Sequence, residues 1–174
     1  MADLNGKRIA IIATDRFEDS ELTSPKEAVE AAGATTHVIS TESGEIEGKN
    51  GTKVSVDIIS AEAKADDYDA LILPGGTSNA DTIRTDANAV ELVKTLREAG
   101  KPVGVICHGG WILTDADVIK GLKLTSFKSL QTDLRNAGAT WVDEEVVVDS
   151  GFVSSRTPKD LPAFNSAIVK EFAG

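Results

Sequence analysis

The stretch Val103–Trp111, VGVICHGGW, decides the fold. Its first four residues are apolar or glycine and include two valines and an isoleucine, which is typical of a strand buried on both faces. Cys107 follows at once, and a histidine and two glycines come next. The sequence therefore predicts a nucleophile elbow, a sharp strand-to-helix turn that presents the cysteine sulfur outward, although no G-x-S-x-G motif is present.

Two other predicted strands end in segments with unusual chemistry. Ala70–Leu73 is followed by Pro74–Gly76, and Ile9–Ala13 is followed by the acidic stretch Phe17–Glu21. In a parallel α/β sheet, sites lie beyond the carboxyl ends of the strands. We therefore expect both segments to lie near Cys107.

The rest of the chain alternates between strand and helix patterns. The motif Ser24–Glu27, SPKE, resembles a capping box with proline at the first helical position, so a helix is predicted to start there and to stop at Gly33. The pairs Asn50-Gly51 and Ser150-Gly151 each predict a hairpin. Further strands are predicted at Thr36–Ser40, Val146–Val148 and Phe152–Ser154, and helices at Asn88–Ala99, Leu130–Ala137 and Leu161–Phe172. This order favours one α/β domain with a mostly parallel central sheet covered on both faces.

Composition narrows the function classes. The 174 residues include 28 acidic and 18 basic ones, a formal charge of −10, which disfavours binding of nucleic acid through its phosphates. No apolar run is long enough to span a bilayer, and the first residues do not resemble a signal peptide. A single cysteine excludes an internal disulfide and fits a reducing compartment. The sequence thus predicts a cytoplasmic protein that binds neither nucleic acid nor a membrane.

The position of Cys107 can be interpreted in two ways, as a reactive thiolate or as an inert thiol. A helix N-terminus and a protonated His108 would both favour the thiolate, and the backbone N–H groups of Gly76 and His108 would suit an oxyanion hole. Alternatively, Cys107 is a buried and inert thiol, which is the usual state of free cysteines. From this stretch alone the two readings are about even.

Three acidic residues near Cys107 in the predicted fold can each have a catalytic or a structural role. A carboxylate from Glu18 or Glu21 would stabilise the thiolate if protonated and oppose it if ionised, whereas acids before a helix can also simply complement its dipole. Asp81 would orient His108, or is an ordinary acid of a helix's first turn.

The remaining site assignments concern the pocket and bound groups. Gly75, Gly109 and Trp111 are expected to line a pocket, although Trp111 also suits the core. Two histidines without a ligand cluster make a metal site improbable, and no dinucleotide or P-loop motif is present, so no metal or cofactor is predicted.

In its motifs the chain resembles the ThiJ/PfpI superfamily, in the branch of general stress proteins and intracellular protease I homologues. The resemblance rests on Phe17–Leu22 before Pro25, Leu73–Gly76, Ile106–Gly109 with Trp111, Asp133–Ala139, Trp141–Asp143, and Ser155–Pro158 with Asp160 and Leu161. It covers nearly the whole chain. It implies a single ThiJ/PfpI domain over residues 1–174, a flavodoxin-like three-layer sandwich of the class I glutamine amidotransferase-like fold, assembled as a homodimer or higher oligomer.

The resemblance also implies roles for individual residues. Cys107 matches the nucleophilic cysteine of the family and His108 its neighbouring histidine. Glu21 matches the carboxylate that hydrogen-bonds the cysteine sulfur, with Glu18 as a second candidate. Asp81 resembles the acid that reaches the histidine from an adjacent subunit in protease-like members.

Three functions remain open at this stage. The first is a stress-response enzyme that processes small reactive carbonyl compounds through its thiol, as a glyoxalase or deglycase. The second is an intracellular cysteine peptidase, in which Cys107 forms an acyl-enzyme, His108 serves as base and Asp81 orients it. The third is a redox sensor or chaperone without turnover, because an exposed thiolate oxidises readily. A glutamine amidotransferase is disfavoured because no histidine follows His108.

Overall fold

A computed structural model describes residues 2–174 of the chain. The strands are β1 (Arg8–Ile12), β2 (Thr35–Ser40), β3 (Glu45–Glu47), β4 (Lys53–Ser55), β5 (Ile58–Ile59), β6 (Ala70–Leu73), β7 (Val103–Ile106), β8 (Lys123–Leu124), β9 (Thr140–Trp141), β10 (Val147–Asp149) and β11 (Phe152–Ser155). The helices are α1 (Asp19–Ala31), α2 (Thr77–Ile83), α3 (Ala87–Glu98), α4 (Trp111–Ala116), α5 (Gln131–Asn136) and α6 (Leu161–Phe172). The alternation predicted from the sequence is therefore confirmed.

Seven strands form one sheet in the order β10-β11-β7-β6-β1-β2-β5. Every neighbouring pair is parallel except β10 with β11, which form a hairpin at one edge. Strands β1, β6 and β7 are adjacent, so their carboxyl ends meet at the centre of one rim. This order brings the segments after the three strands together, as the sequence predicted.

Two hydrophobic clusters cover the faces of the sheet. Alternate residues of a strand point to opposite faces, so Ile9 and Ile11 join one cluster while Ala10 and Ile12 join the other. Helices α1 and α6 contribute to the first cluster, and α2 to α5 contribute to the second. The three-layer α/β sandwich is thus confirmed.

Helix α1 begins earlier than predicted, at Asp19 rather than at the Ser24–Glu27 motif, and the prediction of its start was wrong. Pro25 lies inside the helix, where its missing N–H leaves one backbone hydrogen bond unmade. The early start turns Glu21, Leu22 and Pro25 inward, and all three are buried. Burial along this face outweighs the lost bond and places Glu21 at the rim.

The hairpin β3–β4 lies apart from the main sheet and is fixed to the start of α1. Asp19 accepts hydrogen bonds from the backbone N–H groups of Asn50 and Thr52, at 3.0 and 2.9 Å. Lys49 N–H donates to the Phe17 carbonyl at 3.0 Å. The predicted hairpin is confirmed, and its tip lies over the same rim as Cys107.

Asn79 joins two of the rim segments from the inside. It is 1% exposed, and its Oδ1 accepts a hydrogen bond from the Thr14 N–H at 2.7 Å. Its amide nitrogen donates to the carbonyls of Pro74 and Gly75 at 3.3 and 3.0 Å. One buried amide therefore ties the loop after β1 to the loop after β6.

We expect Asn79→Asp to destabilise the protein by about 1–3 kcal/mol, because a carboxylate oxygen would then face two carbonyl oxygens without a proton between them. The free energy of unfolding in urea measures the effect. Asn88→Asp is the matched control, since Asn88 is exposed in the first turn of α3, where an acid is tolerated. Equal stabilities for the two variants would contradict this role of Asn79.

Candidate active site

Cys107 sits on a strained turn directly after β7. Its φ is +61°, in the left-handed region that residues with a side chain seldom adopt. The turn is held from two sides: the Phe127 N–H donates to the Cys107 carbonyl at 3.1 Å, and Gly109 packs against the Leu73 carbonyl so closely that a Cβ would lie 2.4 Å from the oxygen. The predicted nucleophile elbow is present, with the cysteine half-buried.

Glu21 is the carboxyl group that reaches the cysteine. It is completely buried, and its Oε1 accepts a hydrogen bond from the Gly75 N–H at 3.1 Å. Gly75 lies between the two groups: a Cβ there would be 2.3 Å from Glu21 Oε1 and 2.7 Å from Cys107 Cβ. The two groups therefore lie on either side of the Gly75 backbone, and each shifts the pKa of the other. The assignment of Glu21 to the sulfur therefore fits the geometry.

Burial, with the negative charge of Glu18 second, raises the pKa of Glu21 to about 8. The carboxyl is therefore mostly protonated at neutral pH. Its Oε2 accepts no hydrogen bond from the rest of residues 2–174, so this oxygen is free to carry the proton. A neutral carboxyl places no negative charge beside the sulfur and so opposes the thiolate less than an ionised one does.

Burial and the charge of an ionised Glu21 raise the pKa of Cys107 to about 12. The backbone N–H groups of His108 and Gly76 hydrogen-bond the sulfur and lower the same pKa. Protonation of Glu21 removes the charge that opposes the thiolate. When the pair loses its first proton, the two acidic groups share the one that remains, and the pair carries one negative charge.

His108 is 7% exposed, and its Nδ1 lies 3.3 Å from the Cys107 sulfur. Burial, followed by the positive charge of Lys49, lowers the pKa of His108, so the ring is neutral at pH 7. The expectation of a protonated histidine beside the thiolate was wrong. The physical reason is that a buried ring loses the hydration that stabilises its charge.

Glu18 forms an ion pair with Lys49 and lines the cavity that contains Cys107. Its backbone N–H donates to the Gly75 carbonyl at 3.2 Å. Lys49 comes from the tip of the β3–β4 hairpin, and its charge acts on Glu21 and Cys107 as well as on Glu18. Sequence reasoning missed Lys49, although it stands next to the predicted Asn50-Gly51 turn.

Asp81 lies exposed on α2 and makes no hydrogen bond to His108 within residues 2–174. The Nε2 atom of His108 instead lies 3.2 Å from the Ser129 hydroxyl and 3.4 Å from the Thr77 hydroxyl. Orientation of His108 by Asp81 of the same chain is therefore not observed. Its action from an adjacent subunit stays a prediction.

A cavity of about 250 Å³ opens over the sulfur. Its lining consists of Glu18, Glu21, Lys49, Gly76, Thr77, Cys107, His108, Phe127, Thr157 and Pro158. The expectation that Gly75, Gly109 and Trp111 line the pocket was wrong. Gly75 fills the space between Glu21 and Cys107, Gly109 packs on the Leu73 carbonyl, and the Trp111 ring meets the His108 ring edge-on at 5.3 Å.

Fold and site together define a class of α/β protein in which a cysteine on a nucleophile elbow pairs with a buried carboxyl group. The chain belongs to the DJ-1/PfpI family, whose model matches residues 7–171.

Two bacterial relatives show how similar the chain is to other members of the family. The chain is 48% identical over 160 residues to a Bacillus subtilis protein named "Putative cysteine protease YraA", with 91% of this chain and 94% of that protein covered. It is 49% identical over 168 residues to an uncharacterized protein of Staphylococcus aureus strain Mu50, with 95% and 98% covered.

Solved structures of the family share the fold. A two-domain protein from Anabaena variabilis with DJ-1/ThiJ/PfpI-like and ferritin-like domains superimposes with a TM-score of 0.91 at 34% identity, over 94% of this chain and 47% of that one. DJ-1beta of Drosophila melanogaster superimposes with a TM-score of 0.89 at 24% identity, over 97% and 91%.

Residues 2–174, which the structure describes, contain neither a membrane-spanning helix nor a cluster of metal-binding side chains. No helix there has the length and apolar character that a membrane span requires. No three His, Cys, Asp or Glu side chains lie close enough together to hold a metal ion.

We expect Glu21 to make stability depend on pH. Between its usual pKa of 4.5 and about 8, Glu21 binds a proton in the folded state only. Its contribution to the free energy of unfolding therefore falls by about 1.4 kcal/mol per pH unit as pH rises through this window. Urea unfolding of the wild type and of Glu21→Gln at several pH values gives the difference between their free energies of unfolding. Any advantage that the wild type has at low pH should shrink or reverse toward pH 8.

Glu27→Gln is the control for this measurement, because Glu27 is exposed on the same helix. Its stability should follow that of the wild type at every pH. Parallel curves for Glu21→Gln and the wild type would show that Glu21 has the same protonation state in folded and unfolded protein.

We expect Lys49 and Glu18 to change thiol reactivity in opposite directions. Lys49→Met should slow alkylation of Cys107 by iodoacetamide at pH 7 by about two- to fivefold, and Glu18→Gln should accelerate it by a similar factor, because half-exposed charges contribute up to about 1 kcal/mol. Rates are followed by intact mass. Lys53→Met, on the exposed side of the same hairpin, is the control. A decrease in both variants would indicate a structural role for the ion pair.

Proposed function

We propose that this protein is a cysteine enzyme of the stress response that processes small reactive carbonyl compounds, as a glyoxalase or deglycase. One observation carries the proposal: a buried carboxyl group that keeps its proton near neutral pH lies beside a nucleophilic thiol in a small cavity. A general acid–base group works best when its pKa is near the working pH.

The chemistry follows from the shared proton. The reactive form has a protonated Glu21 and an ionised Cys107. The Cys107 thiolate adds to an aldehyde carbon and forms a carbon–sulfur bond, and the electron pair of the carbonyl double bond moves to the oxygen. In this proposal the N–H groups of Gly76 and His108 stabilise that oxygen. Glu21 then gives its proton to the oxygen, which leaves a hemithioacetal and a Glu21 carboxylate.

With methylglyoxal, the Glu21 carboxylate next removes the proton from the carbon bonded to sulfur and returns it to the neighbouring carbon. The hydroxyl proton on the sulfur-bearing carbon passes at the same time to the neighbouring oxygen, and the hemithioacetal becomes a thioester of lactate. Water cleaves the thioester, releases lactate and regenerates the thiol. One carboxyl group performs each proton transfer, which suits a site whose histidine is neutral.

A peptidase is the second candidate, and two observations favour it. One is the name of the Bacillus subtilis relative, a putative cysteine protease. The other is that the cavity over Cys107 adjoins two larger hollows, of about 490 and 310 Å³, through shared lining by Lys49 on one side and by Phe127 and Thr157 on the other. A redox sensor or chaperone without turnover is the third. In each case we propose a cytoplasmic homodimer or higher oligomer.

Turnover of methylglyoxal tests the proposal. We expect lactate formation by the wild type and a loss of at least about 100-fold in Cys107→Ser and in Glu21→Gln, since a positioned acid–base group contributes about 10² to 10⁴. Lactate is quantified by enantiomer. Lys53→Met is the matched control and should keep full activity.

Turnover that survives in Cys107→Ser would overturn the proposal. Absence of lactate together with cysteine-dependent cleavage in a peptide library would establish the peptidase instead. Absence of both, with two oxygens added to Cys107 at low peroxide, would favour the sensor.

A further inference from the structure

The ring of His108 is held tightly by its neighbours. Phe127 stacks on one face with ring centroids 4.7 Å apart and an interplanar angle of 26°, and Trp111 meets the ring edge-on. The Phe127 N–H also bonds the Cys107 carbonyl, so the segment that supports the ring is attached to the elbow itself. The position of each ring nitrogen is therefore fixed.

The two nitrogens face different partners. Nδ1 lies 3.3 Å from the Cys107 sulfur, and Nε2 lies 3.2 Å from the Ser129 hydroxyl and 3.4 Å from the Thr77 hydroxyl. Neither hydroxyl has another hydrogen-bond partner within residues 2–174. No carboxylate in the described chain bonds the ring.

We propose that Ser129 is a positioning residue that donates its hydroxyl proton to His108 Nε2 and so keeps the ring proton on Nδ1, where it donates to the Cys107 sulfur. A carboxylate can only accept a hydrogen bond, so a carboxylate at Nε2 would hold the ring proton on Nε2. The other nitrogen, Nδ1, would then have no proton and could act as a base, which is how a carboxylate prepares the histidine of a catalytic triad. A hydroxyl can donate instead. The negative charge that develops on the sulfur requires a donor at Nδ1, and Ser129 satisfies the nitrogen left without a proton.

The inference deepens the proposed function and rests on it, because it assigns the proton transfers of that reaction to one group. If His108 is a hydrogen-bond donor to the sulfur, it stabilises the thiolate and does not accept the thiol proton. Proton transfer then falls to Glu21. In the peptidase reading, by contrast, Asp81 of a second copy has to occupy Nε2, which is where Ser129 lies.

The test is the tautomer of His108 in the resting protein, measured by ¹⁵N NMR of histidine-labelled protein. The chain has two histidines, and His37→Gln assigns their signals. We expect the Nδ1–H form in the wild type. Ser129→Ala should raise the share of the Nε2–H form, Ser129→Asp should make that form dominant, and Ser129→Thr should restore the wild-type spectrum. Alkylation of Cys107 should slow by about two- to tenfold in Ser129→Ala, as expected for the loss of one hydrogen bond.

Thr77→Val is the matched variant and should shift the spectrum less, because its hydroxyl is farther from Nε2. An Nε2–H ring in the wild type, or a spectrum unchanged in Ser129→Ala, would overturn the proposal. So would a shift in Asp81→Asn, which would place a carboxylate of another copy at Nε2. Since no substrate is present, these results are independent of whether methylglyoxal is turned over.

Discussion

One constraint governs this site: the buried Glu21 and the half-buried Cys107 lie on either side of the Gly75 backbone, and these two acidic groups cannot both be charged. A side chain at Gly75 would collide with both, so the close approach depends on glycine. The Gly75 N–H fixes one carboxyl oxygen and leaves the other for the proton. The site can therefore hold a thiolate only while the neighbouring carboxyl stays neutral.

The fold meets this constraint by bringing three strand ends together. Strand β7 delivers the cysteine, β6 delivers the glycine loop, and the segment after β1 enters α1 two residues before Glu21. Asn79 joins the loop after β6 to the loop after β1 through one buried amide. The early start of α1 is part of the same arrangement, since a helix that began at Ser24 would leave Glu21 in a flexible turn.

The sequence predicted the parts of the site that depend on local pattern. The β-branched run before Cys107 and the glycines around it are sufficient to place the elbow, and the bounds of β6, β7 and α6 agree with the predictions. The resemblance to a known family singled out Glu21. Contacts between distant segments could not be predicted in this way: Lys49 reaches Glu18 across 31 residues, and Ser129 reaches His108 across 21. A serine has no local signature of that role, and the start of α1 depends on tertiary burial that outweighs a capping motif.

The charge state of the site bears on which reaction it suits. In a cysteine peptidase of the triad type, the thiolate is matched by an imidazolium, which later protonates the leaving amine. Here burial keeps His108 neutral, and the mobile proton resides on a carboxyl group whose pKa is about 8. Conversion of a hemithioacetal to a thioester needs one base that removes a proton from one carbon and returns it to the next. A carboxyl group whose pKa is close to neutrality can gain and lose that proton with little cost in either direction, so the pair of Glu21 and Cys107 suits carbonyl chemistry better than cleavage of an amide.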